Sequence, residues 1–381
     1  MAISHIVKSK VLRRDASCFV AKVAAGPPPR RRAAMAAALA LLTTAAATGC
    51  GAGDEQPELP SSKAALVKQA QQDGEVNWAS WNPEAQMQPA IDLFEKTYPG
   101  ITVKYTNIKA PDQVSQLRME QAAGKVSIDV ANAGGLTMSP AVKLAGDVDW
   151  SEYGIEAEDI FAKNFVYVWA TPKVWAYNTD KVEPADVPKT WDDLLDPKWS
   201  GGRISAESRA SFMSVWELDD AMGQAKALAW AKKFSAQDPH YSPNVTQAEA
   251  PVESGEVSIG TSLASLVLAA KDKGAPVDIA PISPTSASES YLYVPKGAPH
   301  PAAAALLTSF LSSEEAQQLL GKTYNSRIPV DTDCSDTDGT AVLRALCKAD
   351  LEWYGTKTIE KYRTLSAFYP EVEMEFGTDV G

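Results

Sequence analysis

Residues 74–131, GEVNWASWNPEAQMQPAIDLFEKTYPGITVKYTNIKAPDQVSQLRMEQAAGKVSIDVA, decide the architecture. Residues 74–80 alternate apolar and polar side chains as a strand does. Residues 89–98 then carry apolar side chains at helical spacing until Pro99-Gly100 stops the helix. Residues 101–105 return to strand, residues 111–123 to helix with a stop at Gly124, and residues 128–131 to strand. Strands alternating with helices predict a parallel sheet in an α/β fold, with ligand contacts at the carboxyl ends of the strands.

Downstream, residues 165–177 (FVYVWATPKVWAY) form two aromatic and β-branched runs around Thr171-Pro172, long enough to cross between two lobes. A second α/β unit follows: residues 191–195 and 203–205, an amphipathic helix over 212–234, and a strand at 257–260. Residues 290–295 read as another aromatic strand, and residues 301–320 as a helix with proline in its first turn and an end near Gly321. There is no internal repeat.

At the N-terminus, Arg30, Arg31 and Arg32 precede a small-residue apolar stretch over 33–48, which runs into Gly49-Cys50. This is the order of a secretory signal, and the stretch is shorter than the ~20 apolar residues a spanning helix needs. Residues 47–50 (ATGC) resemble the bacterial lipobox, which implies a lipid on Cys50 and an extracytoplasmic protein anchored to the cell membrane. The alternative is a chance cysteine after an ordinary cleavage site. Residues 51–62, rich in Gly, Pro, Ser, Asp and Glu, bury no apolar area and read as a flexible tether.

The chain has 381 residues, 45% apolar and 22% charged, which is enough for two domains of ordinary size. Its net charge of -12 is spread along the body and disfavours a nucleic-acid partner. The histidines are His5, His240 and His300, too few for a His-rich metal cage. The sequence has no GxSxG, GxxxxGK[ST], HExxH or CxxC motif, so catalysis has no positive sign, and no cofactor is expected. Cys334 and Cys347 are the cysteines of the body. An oxidising compartment closes them into a disulfide worth roughly 3 kcal/mol, and two buried thiols are the alternative.

The chain carries in order RMEQAAGK (118–125) before Asp129-Val130, AYNTDK (176–181), TWDDLLDPKWSGG (190–202), GEVSIG (255–260), KGAP (273–276), PKGAPHP (295–301) and FLSSEEAQ (310–317). Together these blocks resemble the type 2 extracellular solute-binding proteins of ABC importers. The branch they resemble holds ferric-iron, phosphonate, thiamine and polyamine binders. The resemblance implies a two-lobed type 2 periplasmic-binding-protein fold with two crossing hinge strands, near residues 168–177 and 291–295. It also implies a non-enzymatic monomer that closes on a solute and hands it to a permease. The expected organisation is a signal segment over 1–50, a tether over 51–71, a first lobe from 72–170 with 293–381, and a second lobe over 171–292.

Strand ends and helix N-termini favour anionic groups, because unpaired N–H groups and the helix dipole point there. Ser208, Arg209 and Ser211 fit that role, with Arg209 gripping a phosphonate, a carboxylate or an anion accompanying iron. The competing reading is a surface arginine between two capping serines. By the resemblance, Ser80, Trp81, Asn132, Gly134, Thr261 and Ser262 fall where the family touches ligand. Trp169, Tyr291 and Tyr324 are further candidates for the cleft wall. Iron-binding relatives commonly carry two consecutive tyrosines near the C-terminus; residues 322–327 (KTYNSR) lack that pair. An anionic or zwitterionic organic solute such as a phosphonate therefore ranks above ferric iron. The other readings are an extracytoplasmic enzyme and a sensory or partner-binding lipoprotein.

Overall fold

The structure is a computed structural model that describes residues 58–212, 223–323, 340–356 and 358–377, together with Asn325, Arg327 and Cys334. The signal segment, Cys50, the first part of the tether, Tyr324 and residues 213–222 of the expected helix lie outside the described residues.

The alternation over 74–131 folds as read. Strand β1 (Glu75–Ser80) pairs in parallel with β2 (Thr102–Asn107), and Trp78 bridges Val130 just before β3 (Ala131–Ala133). Between them, the helix Glu84–Thr97 buries Met87, Ala90, Ile91 and Phe94, spaced three and four apart on one face. The chain turns out of that helix at Gly100, whose φ of 95° suits a residue without a side chain. The helix Ala110–Ala122 ends likewise at Gly124, φ 66°.

The lobes are joined by two long antiparallel strands. After the short β4 (Ile160–Phe161), β5 (Phe165–Asn178) spends residues 166–172 paired with β10 (Thr285–Tyr293). Its residues 173–178 pair with β8 (Ile259–Leu263) and β9 (Val277–Ala280). The change of partner comes at Pro172, which has no N–H to donate, and the Lys173 carbonyl accepts from the Thr285 hydroxyl beside it. At its far end β10 pairs with β3. The second crossing thus begins at Thr285, several residues before the expected 291, because the polar run TSASES gave no apolar signal of a strand. β6 (Ile204–Glu207) lies between β8 and β7 (His240–Ser242), parallel to both.

The first lobe is centred on the helix Pro301–Leu311, in which every residue is buried. Leu306, Leu307, Phe310 and Leu311 each contribute roughly 1.5–3 kcal/mol of burial against Phe94, Trp169 and their neighbours. Asp129, fully buried, ties the N-terminus of that helix to β1. It accepts from the Asn77 amide N (2.8 Å), the Asn77 side chain (2.8 Å) and the His300 backbone N (2.7 Å), and pairs with His300 Nδ1 at 2.9 Å. The second lobe packs Trp175, Trp191, Trp230 and Phe234 on one side of its sheet and Val174, Val257 and Val267 on the other.

Two expected boundaries are corrected. Residues 63–71 are not tether: the helix Lys63–Asp73 buries Leu66 and Ala70 in the first core, and Asp73 accepts from the Ala303 amide at 3.0 Å. Nor does the C-terminal part belong to the first lobe throughout. The helix Ala341–Lys348 packs Val342 and Leu346 against Val267, and a disulfide joins Cys347 to Cys334, Cα atoms 5.4 Å apart. Its neighbour β11 (Trp353–Tyr354) pairs with the start of β10. The final helix, Ile359–Glu375, straddles both lobes. Tyr362 packs with Ala133, Met138 and Tyr291, whereas Leu365, Phe368, Tyr369 and Val372 pack with Trp175 and Trp230. Among the described residues no helix is long and apolar enough to cross a membrane.

Candidate functional site

The carboxyl ends of β1, β3, β6 and β7 open on one cavity of about 550 Å³, as expected for ligand sites of α/β sheets. The first lobe supplies Trp81 after β1, Lys109 with Pro111 at the start of the helix Ala110–Ala122, and the turn Gly134–Thr137 after β3. The second lobe supplies Arg209 and Ser211 after β6, and Pro243 with Asn244 after β7. The crossing strands contribute Lys173, Ala287, Ser288 and Glu289, and the C-terminal segment contributes Thr356, Tyr362 and Tyr369.

Local hydrogen bonds fix these positions. The turn bearing Trp81 is held by its neighbour Asn82, whose carbonyl accepts from Tyr105 Oη and Asn107 Nδ2, both at 2.6 Å. Buried Gln113 joins the first turn of its helix to β3, donating to the Ile108 carbonyl (2.7 Å) and accepting from the Asn132 amide (2.9 Å). Gly134 leaves no room for a side chain: a Cβ there would lie 2.1 Å from the Glu289 carbonyl oxygen. Thr137 Oγ1 closes the turn by donating to the Gly134 carbonyl at 2.8 Å. Glu289 Oε2 accepts from Tyr362 Oη (2.8 Å) and the Thr356 amide (3.1 Å), so the C-terminal helix is bonded to the crossing strand at the cavity wall.

Lys109, Lys173 and Arg209 line this cavity from three separate elements; among the described residues the carboxylates beside them are Glu289, which also lines it, and Glu207, which pairs with Arg209. Arg209 is held by Glu207, the last residue of β6, whose Oε1 accepts from its Nε. Glu207 is fully buried, and burial pushes its carboxyl up to about 7 although Arg209 and Lys173 pull the other way.

Of the residues singled out in the sequence, Trp81, Gly134, Arg209 and Ser211 line the cavity. Ser80, Asn132, Trp169, Ser208, Thr261, Ser262 and Tyr291 do not. These side chains are buried within the protein instead. Asn132 donates to Ser290 Oγ (2.8 Å), Thr261 Oγ1 accepts from the Glu207 amide (2.8 Å), the Ser208 amide bonds the Ser242 carbonyl (2.9 Å) and Ser80 bonds within its own turn. Trp169 packs 6.4 Å from Trp78, and Ser262 is buried on β8. Tyr291 packs on Phe161 and Tyr167, and burial together with nearby Glu289 keeps its phenol protonated well beyond the usual range. Lys109, Lys173, Tyr362 and Tyr369 carried no sequence signal as site residues. Among the described residues no three His, Cys, Asp or Glu side chains gather as a metal ligand set.

Known proteins match this arrangement. The family model described as bacterial extracellular solute-binding protein covers residues 89–344. A Fe(3+)-binding periplasmic protein of Serratia marcescens is 31% identical over 97 residues, 25% of this chain and 28% of that protein. Iron uptake protein A1 of Synechocystis is 32% identical over 175 residues, 42% of this chain and 48% of that protein. The match thus spans less than half the length of either curated relative. The crystal structure of the substrate binding protein of the ABC transporter from Agrobacterium tumefaciens has the same two-lobed fold. It matches with TM-score 0.62 at 19% identity, over 78% of this chain and 94% of that one. With its lobes, its crossing strands and most of its length matched in this way, the chain belongs to the family of bacterial extracellular solute-binding proteins, which bind rather than catalyse.

Proposed function

We propose that this protein captures an anionic or zwitterionic organic solute, of the phosphonate type, between its lobes and delivers it to an ABC permease while tethered outside the membrane by a lipid on Cys50. The convergence of Lys109, Lys173 and Arg209 on one cavity of an otherwise acidic chain carries this reading. Positive groups brought to one cavity from three elements raise the local concentration of an anionic ligand there. Trp81, Tyr362 and Tyr369 offer flat apolar surface for the body of the solute, with Arg209 and the lysines for its acidic group.

A thermal-shift screen of ligand-stripped protein against phosphonates, phosphate esters, carboxylates, polyamines and ferric citrate tests it. A solute at a hundred times its dissociation constant stabilises the fold by about 2.7 kcal/mol. A response confined to polyamines would refute the reading.

Ferric iron is the second reading, favoured by the names of the two curated relatives and by the hard oxygens of Glu289, Tyr362 and Tyr369 on the cavity wall. It predicts a visible tyrosinate-to-iron absorption band on adding ferric citrate. A colourless protein that takes up no iron would dismiss it.

A further inference from the structure

Glu207 is an unusual neighbour for an anion site. It sits at the carboxyl end of β6 with no exposed surface, one oxygen on Arg209 Nε and the other, Oε2, without a hydrogen-bond donor among the described residues. Its amide is fixed by Thr261 Oγ1 at 2.8 Å, and the following amide, of Ser208, bonds the Ser242 carbonyl at 2.9 Å, so the strand end that carries the carboxylate is held in place. Arg209 itself is about two-fifths exposed and faces the cavity.

We propose that Glu207 is a positioning residue for anion capture, which aims the Arg209 guanidinium into the cavity and takes up a proton from solvent as an anionic solute binds. The inference rests on the proposed capture of an anion at Arg209. Buried and bonded to Nε, the carboxyl group anchors the guanidinium at the cavity that Arg209 lines. An incoming anion brings a second negative charge to the pair. Because the carboxyl is fully buried, a second negative charge on the same cation drives it to its neutral form, which still accepts the Nε–H through its carbonyl oxygen.

The surroundings of Glu207 allow that exchange. Arg209 from its own turn and Lys173 from β5 favour the ionised form. From β8, which pairs with β6, Ser262 bonds Glu249, whose carboxyl burial pushes up to about 7. From β7 comes Tyr241, whose phenol is held neutral by burial, and from the C-terminal helix comes Glu373, engaged with the Ala210 amide at 2.9 Å. Burial leaves Glu207 itself poised near neutral pH, at about 7. A further anion at Arg209 therefore shifts it toward the protonated form, and affinity falls as pH rises through and above that range.

Isothermal titration of the purified protein at pH 6, 7 and 8 tests this, with phenylphosphonate as one probe and benzenesulfonate, whose charge is constant over this range, as the other. We expect benzenesulfonate to bind about fivefold more weakly at pH 8 than at pH 6, the effect of one unit of upward displacement of a carboxyl that starts at about 7. At pH 7, runs in buffers of different ionisation enthalpy are expected to reveal proton uptake. Glu207→Gln keeps the contact with Arg209 Nε, so it is expected to bind without pH dependence at the low-pH affinity of the wild type. Glu207→Ala, which releases the guanidinium, is expected to bind weakly at every pH. A wild-type profile that is flat for benzenesulfonate, or a Glu207→Gln profile that keeps its slope, overturns the proton linkage while leaving anion capture standing. Failure of the wild type to bind either probe at any pH overturns both.

Discussion

Replacing Arg209 with glutamine separates a ligand-gripping arginine from a surface one. The side chain lines the cavity, is held at Nε by buried Glu207 and remains partly open to solvent. A charged hydrogen-bonding partner contributes about 1.5–3 kcal/mol to binding an anion. Water screens a half-open pair, so the bare Coulomb value of about 4 kcal/mol at 4 Å is an upper bound. At 1.4 kcal/mol per factor of ten, the expected loss of affinity is about 10- to 150-fold. The fold is expected to tolerate the change, since Glu207 sits near neutrality at pH 7 and protonates when its cation is removed. Calorimetric titration with phenylphosphonate, beside a thermal melt of each protein, reads both quantities. Arg209→Lys keeps the charge but loses the fork that serves Glu207 and the ligand together, so an intermediate loss is expected. An Arg209→Gln protein binding within twofold of wild type would refute the reasoning.

Other sites yield independent tests. Gly134→Ala places a Cβ 2.1 Å from the Glu289 carbonyl, so the turn or the crossing strand must move; a loss of about 1–3 kcal/mol in urea unfolding and weaker solute binding are expected, and an unchanged midpoint would contradict the close approach. Asp129→Ala strands the donors of Asn77 and His300 at a buried junction; destabilisation by about 3–5 kcal/mol is expected from chemical denaturation, and a loss under 1 kcal/mol would show the network to be dispensable. Glu249 has one buried oxygen without a donor, and burial raises its carboxyl to about 7. The folded state then holds a proton that the unfolded chain releases near 4.5, so stability falls as pH rises from about 4.5 to 7, by up to about 3 kcal/mol. Glu249→Gln is expected to remove that contribution and leave the separate one of Glu207; pH-dependent unfolding curves that superimpose for the two proteins would disprove the assignment.

The sequence was most readable where one physical signal dominated. Strand and helix alternation over 74–131 came from periods of two and 3.6, and the long β5 from its unbroken aromatic and β-branched content. The polar run at 285–290 hid the start of β10, because its stability comes from pairing with β5 and not from side-chain burial pattern. Trp81 and Gly134, given by the family resemblance, and Arg209 and Ser211, given by their place after a strand, line the cavity, but position along the chain does not give a side chain's direction. Ser80 beside Trp81, and Ser208 beside Arg209, turn inward. Lys173 lies inside an apolar run and Lys109 before a helix, where each reads as ordinary. Tyr362 and Tyr369 reach the cavity only because the last helix packs across both lobes, which depends on contacts with Tyr291 and Trp175, residues far upstream in the chain.

The central claim is that the cavity lined by Lys109, Lys173 and Arg209 takes an organic anion. Competition calorimetry on the ligand-stripped protein tests it most directly, with phenylphosphonate titrated alone and then after saturation with ferric citrate. Saturable one-to-one binding of the phosphonate in the absence of iron is predicted. No phosphonate heat, together with saturable uptake of iron and a visible absorption band, would contradict the account.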